Sequence, residues 1–180
     1  ITSAVFVENK NAEKRPSTYR GYKLESGVHV FFFIFVTSQK VWSAETGYPG
    51  NQWYREFHRK DSESGLHYWR VSKSDEKEFY DPQKAKAQIS QDARDFVNLV
   101  EEKLDSRNNL IHECPPLIVS LYDTELFGHW WSEGIMWLEE VYRLLLESPK
   151  VQPQSISEVI EMYGNTYSTI KMKSSTWGEN

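Results

Sequence analysis

Leu117-Ile118-Val119-Ser120-Leu121-Tyr122 follows Pro115-Pro116 and runs directly into Asp123-Thr124-Glu125-Leu126-Phe127-Gly128-His129-Trp130-Trp131. Six apolar or β-favouring residues between prolines and a polar turn read as a buried strand. A helical stripe comes next at about Ile135–Leu146, with Leu138, Val141, Tyr142 and Leu145 on one side. A strand, a turn and a helix in that order is the repeating unit of an α/β protein with parallel strands.

The rest of the chain fits the same grammar. Val28–Val36 is an apolar run rich in β-branched and aromatic residues, as expected of a strand buried on both faces. Gly47-Tyr48-Pro49-Gly50 marks a turn, and Leu66–Val71 reads as a short strand. Asp81-Pro82 opens the clearest helix, because Asp caps well and Pro suits the first helical position. Its apolar stripe is Ala85, Ile89, Ala93, Phe96, Val97, Val100 and Leu104, and Asp105–Asn109 breaks it. Ser155-x-x-Glu158 is a capping box for a short helix ended by Gly164, and Tyr167–Lys173 reads as a final strand. Residues 1–27 show no sustained period and read as an irregular N-terminal segment.

Length and charge exclude several classes. The chain has 180 residues, and a closed (β/α)₈ barrel needs about 250, so a complete enzyme of that type does not fit. A net charge of −5 argues against nucleic acid as a partner. The longest apolar run, Val30–Val36, is far short of the ~20 residues a membrane helix needs, and no polybasic run points to a membrane surface. No secretory signal opens the sequence. A single cysteine and the lack of an Asn-x-Ser/Thr acceptor favour a reducing cytoplasm. Aromatic residues make up 14% of the chain, seven of them Trp, although mean hydropathy is only −0.65. Such a chain packs its rings in a core or displays some as flat apolar surfaces.

Chemistry points back to the opening segment. Side chains at the C-terminal ends of strands face the ligand crevice in barrels and open α/β sheets. Asp123 stands at such an end, beside Leu126, Phe127, Trp130 and Trp131. Apolar surroundings disfavour the charged carboxylate and keep a proton available for general acid catalysis. The competing reading is a helix-capping Asp followed by core aromatics. Neither Glu125 nor Glu133 makes a natural second catalytic group; a Glu in the same turn is more often solvated or hydrogen-bonded. His29, His58, His67 and His112 show no metal-ligand spacing, and no metal or cofactor is expected. Cys114 reads as a small apolar residue.

The motifs around Asp123 resemble a known family. Tyr122–Trp131 with Glu133-Gly134 looks like the fourth signature region of glycoside hydrolase family 57. Val41-Trp42-Ser43-Ala44-Glu45-x-Gly47-Tyr48-Pro49-Gly50, followed by Tyr54-Arg55-Glu56-Phe57, is similar to a segment of its 1,4-α-glucan branching enzymes. Gly65–Val71, Phe79-Tyr80-Asp81-Pro82 and Ser174-Ser175-Thr176-Trp177-Gly178 resemble further family segments in the right order. The resemblance implies that residues 28–180 are the C-terminal half of a seven-stranded (β/α) barrel, with parallel strands and flanking helices.

It also implies a retaining enzyme that cuts an α-1,4 bond in α-glucan and transfers the glycosyl chain to a 6-hydroxyl. Two carboxyl groups about 5–5.5 Å apart do this chemistry. Asp123 matches the acid/base, while the family's nucleophilic Glu lies in a motif that this chain lacks. Trp42, Tyr48, His129, Trp130 and Trp177 match or flank the sugar-binding positions, with Trp131 in the wall. The implied partners are α-glucan and the remainder of the catalytic domain. By the same resemblance the fragment is expected to be inactive alone. A related α-amylase or 4-α-glucanotransferase, or an inactive glucan-binding fragment, is the alternative. The chain departs from the family at the Phe-rich stretch 31–35, at His58-Arg59-Lys60, at Ser132 and at Ile135.

Overall fold

A computed structural model describes residues 17–72, 74–107 and 114–172. The chain divides into two compact units. One draws on Ile1–Phe35, Lys103–Ser120 and Gln154–Asn180, the other on Val36–Glu102 and Leu121–Pro153.

In the first unit, β1 (Gly21–Lys23) and β2 (His29–Phe31) form an antiparallel hairpin with Tyr22 opposite Val30. Gly27 closes it at φ 85°, a left-handed conformation that costs a residue with a Cβ about 1–2 kcal/mol. On the other edge of β1, Lys23 N–H donates to Ser168 O (3.1 Å) and Ile170 N–H donates to Lys23 O (2.9 Å), so Tyr167–Ile170 runs alongside in parallel. The Tyr167 ring fills the space over Gly21 and meets Phe31 edge-on, with centroids 5.9 Å apart. The helix at Ile156–Tyr163 is set by its capping box: Ser155 Oγ accepts from Glu158 N–H, and the Glu158 carboxylate accepts from Ser155 N–H.

The second unit is built on two helices, at Pro82–Asp105 and Gly134–Glu147. Asp81 Oδ1 accepts from Gln83 N–H (2.9 Å), the cap expected from the Asp-Pro pair. Ala85, Ile89, Ala93, Phe96, Val97 and Val100 bury the expected stripe, joined by Asp92. The second helix buries Trp137 and Val141, but Tyr142 is exposed rather than packed. Between them lies an aromatic core of Tyr48, Tyr54, Phe96, Trp131 and Trp137, whose centroids stand 5.1–6.5 Å apart in the contacting pairs. Three extended segments add a ribbon. Val71 N–H donates to Tyr54 O, and Arg70 N–H to Glu78 O. Short helices at Phe35–Trp42 and Tyr48–Gly50 complete the unit.

Several expectations fail here. Val28–Val36 is not one buried strand: only His29–Phe31 is β, Val28 and Phe35 are exposed, and a helix starts at Phe35. Residues 1–27 are not wholly irregular, because β1 falls among them; a boundary at 27 would cut the hairpin. Leu66–Val71 makes isolated bridges at Trp69 and Arg70 rather than a strand. Leu117–Tyr122 is extended but half-exposed, tied through Leu117 N–H to Tyr19 O (2.8 Å) and Ile34 N–H to Val119 O (2.9 Å). The two named strands are antiparallel, and no parallel barrel sheet forms among the described residues. A strand buried on both faces needs a partner on each edge and cover on each side. Among the described residues the two runs meet each other through Ile34 N–H and Val119 O, and no parallel sheet forms around them. No described helix is long and apolar enough to cross a membrane.

Candidate active site

The turn from Asp123 to Glu133 sorts its side chains by direction. Asp123 O accepts from Leu126 N–H (3.0 Å), starting a single 3₁₀ turn at Thr124–Leu126. Trp131 N–H donates to Leu126 O, Gly128 N–H donates to Trp131 O (both 2.8 Å), and Trp130 N–H donates to Glu125 O (3.3 Å). Gly128 reverses the chain at φ 86°. Leu126, Trp131 and Glu133 point inward and are buried, whereas Asp123, Glu125, His129 and Trp130 are exposed.

The apolar surroundings expected for Asp123 are therefore absent. Leu126 and Trp131 turn into the core, and the carboxyl faces solvent without making a side-chain cap. His129 and Trp130 do come together. Their ring centroids are 5.6 Å apart, and Phe57 joins both, at 4.4 Å from Trp130 and 5.3 Å from His129. His58 stands 6.4 Å from Trp130, and His67 stacks on Phe57 at 6.0 Å. The result is an aromatic ledge of two rings and three imidazoles. Phe57, His58 and His67 were not among the expected sugar-binding residues: the two histidines were weighed only as metal ligands, and the signal for Phe57 was its place in the Tyr54–Phe57 motif.

No protein-family profile matches the sequence. Individual relatives do. The chain is 42% identical, over 99% of its length, to the 1,4-α-glucan branching enzyme of Thermococcus kodakarensis, of which it spans 27%. Its structure matches the family 57-type branching enzyme of Pyrococcus horikoshii with a TM-score of 0.84 at 39% identity, covering 90% of this chain and 30% of that one. An α-amylase of Thermotoga maritima matches at 0.83 and 33% identity, over 93% and 37% of the two chains. The chain is homologous to part of the family 57 branching enzymes. It spans about a third or less of the branching enzymes it matches.

The remaining motif positions fall in different settings. Trp42 ends its helix half-exposed (51%), outside the ring contacts that build the ledge. Tyr48 is a core residue, 5% exposed, with its ring stacked near Trp131 and its hydroxyl donating to Asp95 Oδ2 at 2.8 Å. Burial, with the Asp95 hydrogen bond second, holds its phenol far above the ordinary range. The structure thus sets Tyr48 in the wall, beside Trp131, and not on the ledge. Trp177 and the Ser174–Gly178 motif lie outside the described residues.

Glu133 is fully buried and hydrogen-bonded, the second of the two settings expected of it and not the solvated one. Its Oε1 accepts the backbone N–H of Arg55 at 3.2 Å. Burial raises its pKa, and the neighbouring Tyr80 and Arg55 pull the other way. Tyr80 in turn is pushed up to about 12 by burial and the Glu133 carboxylate, while the Arg55 guanidinium lies 4.3 Å over its ring. Among the described residues Asp92 is the other buried carboxyl, accepting from Tyr54 Oη (2.6 Å) and Gln88 Nε2 (2.9 Å). Neither faces the exposed side of the turn. Among the described residues no cluster of His, Cys, Asp or Glu has the arrangement of a metal site.

Proposed function

We propose that this chain supplies the acid/base half of a retaining α-glucan branching site. The carrying observation is the 42% identity to a branching enzyme over nearly the whole chain, together with an exposed Asp123 on the turn that also displays His129 and Trp130. Asp123 protonates the glycosidic oxygen of an α-1,4 bond as a Glu from outside this chain attacks C1, so the leaving chain departs with its 4-hydroxyl restored. Asp123 then takes the proton of an acceptor 6-hydroxyl, whose oxygen attacks C1, forms the α-1,6 bond and expels the Glu. The ledge of Trp130, His129 and Phe57 holds a sugar ring beside the acid, and Trp42 and Trp177 add further platforms.

In this reading residues 28–180 contribute to a seven-stranded (β/α) barrel, and the remainder of the domain is the partner. Docking there covers the half-exposed segment Leu117–Tyr122 and removes water from Asp123. The single cysteine of the sequence favours a cytoplasmic setting.

The test is a chimera in which this chain replaces the matching segment of the Thermococcus kodakarensis enzyme. Branching of amylose, read as a blue shift of the iodine complex with new α-1,6 linkages, supports the proposal. Hydrolysis without new linkages favours the α-amylase reading, which the Thermotoga maritima likeness recommends.

A further inference from the structure

A second concave surface lies in the same unit and shares none of the residues of the Asp123 turn. It encloses about 650 Å³ between the turn after Tyr48 and the ribbon that follows. Its lining includes Gln52, Trp53, Ser72, Ser74, Glu78 and Gln88. That volume falls within the range of about 300–1,000 Å³ typical of small-molecule sites.

The charges in its wall are already matched. Arg70 reaches over Trp53, with Cζ 5.4 Å from the ring centroid. Its Nη1 donates to the carbonyl oxygens of Gln52 (3.1 Å) and Val71 (3.0 Å). Its Nε donates to Glu78 Oε2 (3.2 Å), and its Nη2 pairs with Glu78 Oε1. With its donors engaged in the wall, Arg70 is rigid and electrically compensated. Lys84 lies 4.6 Å from the Trp53 centroid but is an exposed side chain that can swing off the ring.

What remains is a half-buried indole ringed by amides, hydroxyls and a carboxylate. The rim groups already hold partners, Ser72 Oγ at Glu76 O (3.0 Å), Gln88 Nε2 at Asp92 Oδ1 (2.9 Å) and Glu78 at Arg70, so phosphate would have to displace Glu78 from Arg70, whereas a neutral ligand leaves that pair intact. A neutral, hydroxyl-rich ring suits both features: its C–H face stacks on the indole, and its hydroxyls exchange hydrogen bonds with the rim.

We infer that the Trp53 cavity is a second sugar-binding site, one that grips a neutral α-glucan segment away from the Asp123 turn. The inference rests on the α-glucan reading of the chain. Two grips on one polysaccharide raise the effective concentration of substrate at the reacting site without any new contact there.

The test is calorimetric titration of maltoheptaose into the full 180-residue chain and its Trp53→Ala, Trp53→Phe and Trp130→Ala variants. The expected result is two classes of site. Trp53→Ala weakens one class about 10-fold, Trp53→Phe retains most of its affinity, and Trp130→Ala leaves that class in place. The indole N–H resonance missing from the Trp53→Phe spectrum should also shift when maltoheptaose is added to the unaltered chain, which gives a reading independent of variant folding. If Trp130→Ala abolishes all binding and the Trp53 resonance stays still, this inference fails while the functional proposal stands. If the unaltered chain binds no maltoheptaose, this inference fails, while branching by the chimera still decides the functional proposal. Trp53-dependent binding of inorganic phosphate in place of the sugar would also overturn the assignment.

Discussion

The buried carboxylate of Glu133 accepts the backbone N–H of Arg55 at 3.2 Å, joining the end of the Asp123 turn to the segment that carries Phe57. That bond links the two strips of chain whose rings, Phe57 and Trp130, approach to 4.4 Å. The ledge is therefore set from beneath by a polar bond inside an aromatic core. Few other devices would fix two irregular segments so directly, since neither belongs to a regular sheet.

Glu133→Gln keeps an acceptor for Arg55 N–H but carries no charge. Because burial raises the carboxyl's folded-state pKa, its stabilising contribution is greatest below the unfolded pKa of about 4.3 and falls as pH rises through the folded value. Urea unfolding from pH 4 to 8 should show Glu133→Gln gaining on the unaltered chain as pH rises and losing the advantage at acid pH. Glu133→Ala removes the acceptor and should cost about 1–3 kcal/mol across that range.

Trp130→Ala and Phe57→Ala test the ledge. Both rings are partly exposed, so the helical signal and the unfolding midpoint should change little. Retardation in amylose-containing gels should drop by about 10-fold for either variant. Unchanged retardation with Trp130→Ala would remove the ledge from the glucan site.

Tyr48 and Trp137 should behave in the opposite way. Tyr48→Phe deletes the hydroxyl that donates to Asp95 and should cost about 0.5–1.5 kcal/mol of stability without altering the ledge. Trp137→Ala empties the centre of the aromatic core, where the ring is fully buried, and should cost about 3–5 kcal/mol with loss of near-ultraviolet dichroism.

What the sequence disclosed follows from how local each signal is. The helix at Pro82–Asp105 was legible because Asp81, Pro82 and a stripe from Ala85 to Val100 sit within one element. The capping box at Ser155 is likewise a four-residue signal. Val28–Val36 and Leu117–Tyr122 misled because a strand is completed by partners elsewhere. Val28 and Phe35 stay exposed in a chain that spans about a third or less of the branching enzymes it matches. The same limit governs the site. Asp123, His129 and Trp130 were nominated from one contiguous motif and are exposed together, whereas Tyr48, nominated more weakly from its Gly-Pro turn, is core. Phe57 lies far from Trp130 in sequence, so their contact carried no local mark. The burial of Glu133 was equally hidden, since its partner Arg55 lies in another segment.

The central claim is that Asp123 moves the proton in an α-glucan branching reaction. The most direct measurement is the branching rate of the chimera carrying Asp123→Asn, compared with the chimera carrying Asp123, at equal folded concentration. Asn cannot donate or take the proton, so the rate should fall by about 10²–10⁴-fold while amylose binding persists. An Asp123→Asn chimera that branches amylose at the parental rate would contradict the account.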